Sequence, residues 1–251
     1  MEATQELLFK IADDALIMGH TDSTWTGLGP TLEEDIAFSS MSQDKIGHAW
    51  NLYQMLHDKF GLADADTLGF KREEKEYKCS HLTEVPTQDY AYALVRQFFF
   101  DHGQFMRFSA LKNSSIEWLA DFSRKVTSEI KYHTLHGDTW LKKLGAQGNE
   151  ESKARMQSAI NEVFPLALGY FEEGPHEAEL IEKNIFIGEK ALQEAWLEKV
   201  GDLVAQYGLT LPEVNTGEPA LGGRNGYHTE HLQPLLAEMT EVTASDPEAT
   251  W

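Results

Sequence analysis

From residue 31 to residue 172 apolar side chains return at steps of three and four. Nowhere do they alternate with polar ones for long enough to make a dependable strand. The period is that of a helix face, and it predicts an all-α chain. Gly, Pro and short polar clusters punctuate the pattern. They mark helices over roughly 3–18, 31–59, 87–111, 114–144, 150–172, 188–207 and 229–242. Thr31 followed by Glu34 has capping-box spacing, and Gly61 and Gly145 are the expected stops. Residues 60–85, with the run "KREEKEYK", read as a solvated connection. The tail "ASDPEATW" reads as an acidic, frayed end.

Four long helices with extra helices before and after them predict a helical bundle built as one domain over residues 1–251. A net charge of −20, from 41 acids against 21 bases, argues against a nucleic-acid groove or an anionic membrane surface as partner. The longest apolar run, "VFPLALGYF", contains a proline and is too short to span a bilayer. The acidic N-terminus lacks the basic start of a secretion signal. The single cysteine, Cys79, permits no internal disulfide and agrees with a reducing compartment. A cytoplasmic protein is expected.

The inner stripes of the long helices are not purely apolar. One reads Ala37, Met41, Asp44, His48, Leu52, Met55, and the next reads Leu94, Gln97, Asp101, Gln104, Phe108, Leu111. The third reads Leu119, Phe122, Val126, Glu129, His133, Trp140, Leu144. An acid or an imidazole in such a row is costly unless paired, protonated or bound to a metal. Three successive helices carrying a carboxylate near mid-length follow the pattern of ferritin-like carboxylate bundles, where Glu and Glu-x-x-His ligands hold two metals. The set is incomplete. Asp101 is followed at the ligand spacing by Gln104, and no histidine lies between His136 and His176, so the fourth helix has no Glu-x-x-His. Three readings stay open: a hydrogen-bonded network without metal, a remnant site using Asp44, His48, Asp101, Glu129 and His133, and a competent di-iron oxidase.

Other motifs carry less. In "YHTEHL" the residues His228 and His231 are three apart with Glu230 between them, which matches no zinc-protease pattern. A helix start with Thr229 as cap is the expected role. "GGRNG" follows no strand and is weak as a phosphate loop. Cys79 sits in the charged connection with no partner motif beside it. The apolar stripe Leu232, Leu235, Leu236, Met239 of the last helix must be buried on its own core or on a neighbouring subunit.

The segments "LEEDIAFSSMSQDKIGHAWNLYQML", "RQFFFDHGQFMRF", "EIKYHTLHGDTWLKKLG" and "GGRNGYHTEHLQPLLAEM" together resemble the C subunits of the ring 1,2-phenylacetyl-CoA epoxidases, bacterial multicomponent monooxygenases of phenylacetate degradation. The similarity runs over nearly the whole chain. It implies a ferritin-like helical fold and a non-catalytic subunit that pairs with and stabilises a related di-iron catalytic subunit. A separate reductase would bring electrons from NADPH through flavin and an iron–sulfur cluster. On this resemblance the chain has no catalytic, cofactor-binding or metal residues of its own, and the five ligand-face positions are inherited. Its partners are the catalytic subunit and the reductase, with self-association when alone. The alternative is a stand-alone ferritin-like oxidase using the divergent carboxylate and histidine site.

Overall fold

The computed structural model describes residues 2–213 and 220–246, and all regular structure in them is helical. The expected acidic tail lies largely outside the described residues. Among the described residues the α-helices are α1 (Glu2–Ser23), α2 (Leu32–Phe60), α3 (Ala65–Phe70), α4 (His81–Glu84), α5 (Tyr90–Leu111), α6 (Glu117–Leu141), α7 (Glu150–Gly169), α8 (Glu177–Glu182), α9 (Glu189–Gln206) and α10 (Leu232–Ser245). Among the described residues no helix is long and apolar enough to cross a membrane. Beyond α1, the long helices predicted from periodicity agree to within three residues at each end. The chain groups into two compact units. One comprises Gln5–Pro86 with the segment from Gly222 onward, the other Thr87–Leu221 with Glu2–Thr4. Of the four long helices assigned to one bundle, α2 falls in the first unit and α5, α6 and α7 in the second.

In the first unit α1 continues through Gly19, where the sequence suggested a stop. A Cβ at Gly19 would stand 2.9 Å from the Ile46 side chain and 3.1 Å from the Ser42 carbonyl oxygen. The glycine therefore serves close packing of α1 on α2. Thr31 is the N-cap residue of α2, but its side chain makes no cap hydrogen bond. The helix ends as predicted at Gly61, whose φ of 70° lets its N–H reach the His57 and Leu56 carbonyls. Residues 60–85 are not a solvated strand of chain. They form α3, a short 3₁₀ turn (Glu74–Glu76) and α4, and they bury Tyr77, Cys79, Leu82 and Glu84. Arg72 of the charged run turns in to Asp13, the other charged side chains of that run stay at least partly exposed, and every few residues an apolar one turns in, a pattern too short for periodicity to reveal.

The second unit is organised around α5, with α6, α7 and α9 packed on it. Every residue from Ala91 to Gln104 of α5 is buried, as expected of a helix covered on all sides. Asp89 caps it by accepting from the Tyr92 N–H at 2.8 Å, and Asn149 caps α7 in the same way through the Ser152 N–H. Gly137 of α6 lies against Phe98 of α5, where a Cβ would already be 3.4 Å from the Phe98 backbone. Trp196 of α9 joins three helices. Its ring lies 5.4 Å from that of Phe99 on α5 and stacks at 6.3 Å on Phe164 of α7, and its N–H donates to the Phe99 carbonyl.

Candidate functional site

The predicted ligand-face residues come from both units. Asp44 and His48 belong to α2 in the first unit, His48 buried and Asp44 half-buried. The inner row of α2 runs Met41, Lys45, His48, Leu52, so a lysine takes the place read for Asp44. The step from Met41 to 45 is as good a helix step as that to 44, and spacing cannot choose between them. Lys45 and Asp22 of α1 are both almost fully enclosed, with their charged ends 3.4 Å apart.

In the second unit Asp101 of α5 and His133 of α6 are brought together, with Nδ1 and Oδ1 3.8 Å apart and both side chains enclosed. That separation is an ion-pair distance and too long for a direct hydrogen bond. Glu129 is half-buried at the border of the face, because the inner row of α6 runs Val126, Ile130, His133, Gly137. Two further polar pairs cross between α5 and α6. His102 Nε2 lies 3.0 Å from Asp138 Oδ1, and Gln97 Nε2 lies 3.5 Å from His136 Nδ1. Deeper in this unit the Arg107 guanidinium donates to Glu189 at 2.8 Å and stacks over the Tyr170 ring at 4.5 Å. The Glu189 N–H in turn donates to Glu177. The polar residues of this core are thus held largely by one another.

The ferritin-like resemblance raises the question whether these rows suit a pair of iron ions. They do not suit it well. Within the first unit the α2 row sets an ammonium at Lys45 beside His48; within the second, Gln104 is a neutral amide where imidazole is needed, and the inner row of α7 (Met156, Ile160, Val163, Ala167) is apolar with Glu162 exposed.

The first unit holds a second polar core that the sequence did not disclose. Asp13 and Asp14, adjacent on α1, are fully buried. Asp13 receives the Tyr53 hydroxyl at 2.6 Å, the Lys78 N–H at 2.6 Å and the Arg72 guanidinium. Burial works to lower the Arg72 pKa, but the Asp13 carboxylate outweighs it and holds the guanidinium more firmly protonated. Asp14 accepts the Ser80 N–H at 2.8 Å on one oxygen, and its other oxygen forms an ion pair with Arg224 at 2.7 Å. "GGRNG" exists to bring Arg224 there. Gly222 and Gly226 have φ of 126° and 81°, and a Cβ at Gly223 would lie 2.1 Å from the Cys79 carbonyl oxygen. Close backbone approach, not phosphate binding, accounts for the glycines.

Beside Arg224, Cys79, Glu84 and His228 converge so that one potential ligand atom of each lies within 4.8 Å of the others. His228 Nδ1 is 2.7 Å from Glu84 Oε1, and Cys79 Sγ is 3.6 Å from that oxygen and 3.9 Å from Nδ1. The outer atoms are fixed as well. His228 Nε2 is 3.0 Å from the Tyr77 carbonyl oxygen, and Glu84 Oε2 accepts from both the N–H and the hydroxyl of Thr229 at 2.8 Å. Burial tends to raise the Glu84 carboxyl, but the hydrogen bonds from His228 and Thr229 outweigh it and hold its pKa below the ordinary 4.5. Burial, then the Glu84 charge, pushes the Cys79 thiol well above its ordinary value. Thr229, expected to cap the last helix, is spent on Glu84 instead, and α10 begins at Leu232. One partner of Cys79, Glu84, is five residues on, and the other, His228, is 149 residues away, out of reach of any local motif.

Two comparisons bear on identity. The model of the family described as phenylacetic acid catabolic protein matches residues 1–251. The C subunit of the 1,2-phenylacetyl-CoA epoxidase of Escherichia coli (strain K12) is 31% identical over 242 residues, covering 96% of both chains. The chain belongs to the phenylacetic acid catabolic protein family.

Proposed function

We propose that this protein is a non-catalytic structural subunit of a phenylacetyl-CoA epoxidase acting in aerobic phenylacetate degradation. In this reading it has a ferritin-like helical fold and works in the cytoplasm. It pairs with and stabilises a di-iron catalytic subunit, which a reductase carrying flavin and an iron–sulfur cluster supplies with electrons from NADPH. The relative's designation as a subunit agrees with this. So does the poor fit of the inner rows to iron.

The observation that carries the reading is the outer face of α2. Leu32, Ile36, Ile46 and Trp50 lie on one side of this helix, at 70%, 60%, 38% and 51% exposure. Leu32 and Ile36 line a groove of about 440 Å³ with Thr26, Ser39 and Gln43. An apolar helix face left open in a chain of such high charge is suited to a permanent partner.

The test replaces Ile36 and Trp50 together by glutamate in the full chain. Both are exposed, so stability should stay within about 0.5 kcal/mol of wild type. Affinity for the co-expressed catalytic subunit should drop by roughly tenfold or more. Capture at unchanged affinity would overturn the pairing surface. Isolated chain that takes up one to two iron ions per molecule and turns over substrate would favour the stand-alone oxidase.

A further inference from the structure

We propose that Cys79, Glu84 and His228 form a zinc site that clips the α4 segment to the loop leading into α10. Three kinds of observation meet here. The ligand types are right, since thiolate, imidazole and carboxylate are the groups zinc takes. Their separations are close to what zinc needs. Tetrahedral geometry, with bonds of about 2.3 Å to sulfur and about 2.0–2.1 Å to nitrogen and oxygen, sets edges of roughly 3.5 Å to sulfur and roughly 3.3 Å between nitrogen and oxygen. The two sulfur edges are 3.6 and 3.9 Å. The nitrogen–oxygen edge, now 2.7 Å, must open by about 0.6 Å, which the loss of the proton between Nδ1 and Oε1 permits.

The third observation is the support behind the ligands. Zinc-bound histidines present one ring nitrogen to the metal and donate the other N–H to a carbonyl or carboxylate. His228 has this arrangement ready, with Nε2 on the Tyr77 carbonyl and Nδ1 turned to Cys79 and Glu84. Glu84 likewise has Oε2 anchored by Thr229, leaving Oε1 for the ion. Thiolate and carboxylate together neutralise the dication, so no net charge is buried. Access lies along the loop carrying His228, where the neighbouring Tyr227 is exposed.

Binding is written as a balanced exchange. The ion displaces the thiol proton of Cys79 and the proton between His228 and Glu84, and two protons leave to solvent as the Zn–S, Zn–N and Zn–O bonds form.

The experiment titrates Co²⁺, then Zn²⁺, into the full chain after removal of metal by a chelator. One Co²⁺ per chain should bind with a thiolate-to-cobalt charge-transfer band, Zn²⁺ should displace it, and calorimetry in two buffers should count two protons released. Cys79→Ser should abolish the band and His228→Gln should weaken Zn²⁺ binding at least tenfold. Cys79 is the single cysteine of the chain. Absence of the band on the wild-type protein therefore overturns the proposal whether or not the variants fold, and so does Co²⁺ binding that survives Cys79→Ser unchanged.

Discussion

Lys45 shows how a buried charge is tolerated. Its ammonium and the Asp22 carboxylate, each almost without solvent, are 3.4 Å apart. Removing one member of such a pair leaves the other charge buried without its counter-ion. Lys45→Met should therefore destabilise the protein by about 3 kcal/mol in urea unfolding, and adding Asp22→Leu should recover most of the loss. A double variant no more stable than the single one would show that the lysine acts through something other than Asp22. Glu84 supports a second expectation, with a pH signature. Its folded carboxyl titrates below the ordinary 4.5, so its contribution is whole above that pH and fades as pH falls through the lowered value. Glu84→Gln should cost about 3 kcal/mol at neutral pH, and the gap to wild type should narrow in acid. A gap independent of pH would mean that the charge of Glu84 is not what stabilises the fold. At this scale the sequence pointed to the helix faces and left the choice between adjacent positions open. Asp44 and Glu129 are half-buried while their neighbours Lys45 and Ile130 are buried, and steps of three and four, being equally helical, do not choose between them.

Among the elements, α10 and the loop before it show what a terminal segment can hold together. Leu232 packs with Ile17, Tyr77 and Cys79, and Leu235, Leu236 and Met239 cover that cluster. The predicted apolar stripe is thus seated on its own unit. The loop contributes Arg224 to Asp14 and His228 to Glu84, so both carboxylates depend on residues far along the chain. Ending the chain at Leu221 should expose the Ile17 cluster and take Arg224 from Asp14 and His228 from Glu84. Limited proteolysis of that truncation should cut within residues 5–86 at least tenfold faster than in the full chain, while residues 87–213 keep their protection. Equal protection of both stretches would show that the segment is dispensable to the first unit. The short elements α3 and α4 were hidden in the sequence for a related reason. They are only one turn or so long, and the charged run between them masks the few residues nearby, Tyr77, Cys79 and Leu82, that face inward.

At the scale of the molecule, a net charge of −20 coexists with an interior in which acids are matched one by one. Asp13 with Arg72, Asp14 with Arg224, Asp22 with Lys45, Glu84 with His228 and Glu189 with Arg107 are such matches. The surplus of acid can therefore lie outward, where it favours solubility. The helical class, the long helices and the face that carries Asp101 and His133 were set by the sequence itself, because they follow from a period repeated over many turns. The single cysteine and the charge were equally plain. What only the tertiary structure decided was which distant residues meet. The first unit joins residues 5–86 to the segment from Gly222 onward, so Arg224 and His228 find their acids across more than half of the chain. Periodicity reports the direction a side chain takes from its own helix. It carries no record of what comes to meet that side chain from elsewhere, and the Cys79, Glu84 and His228 cluster exists only through such a meeting.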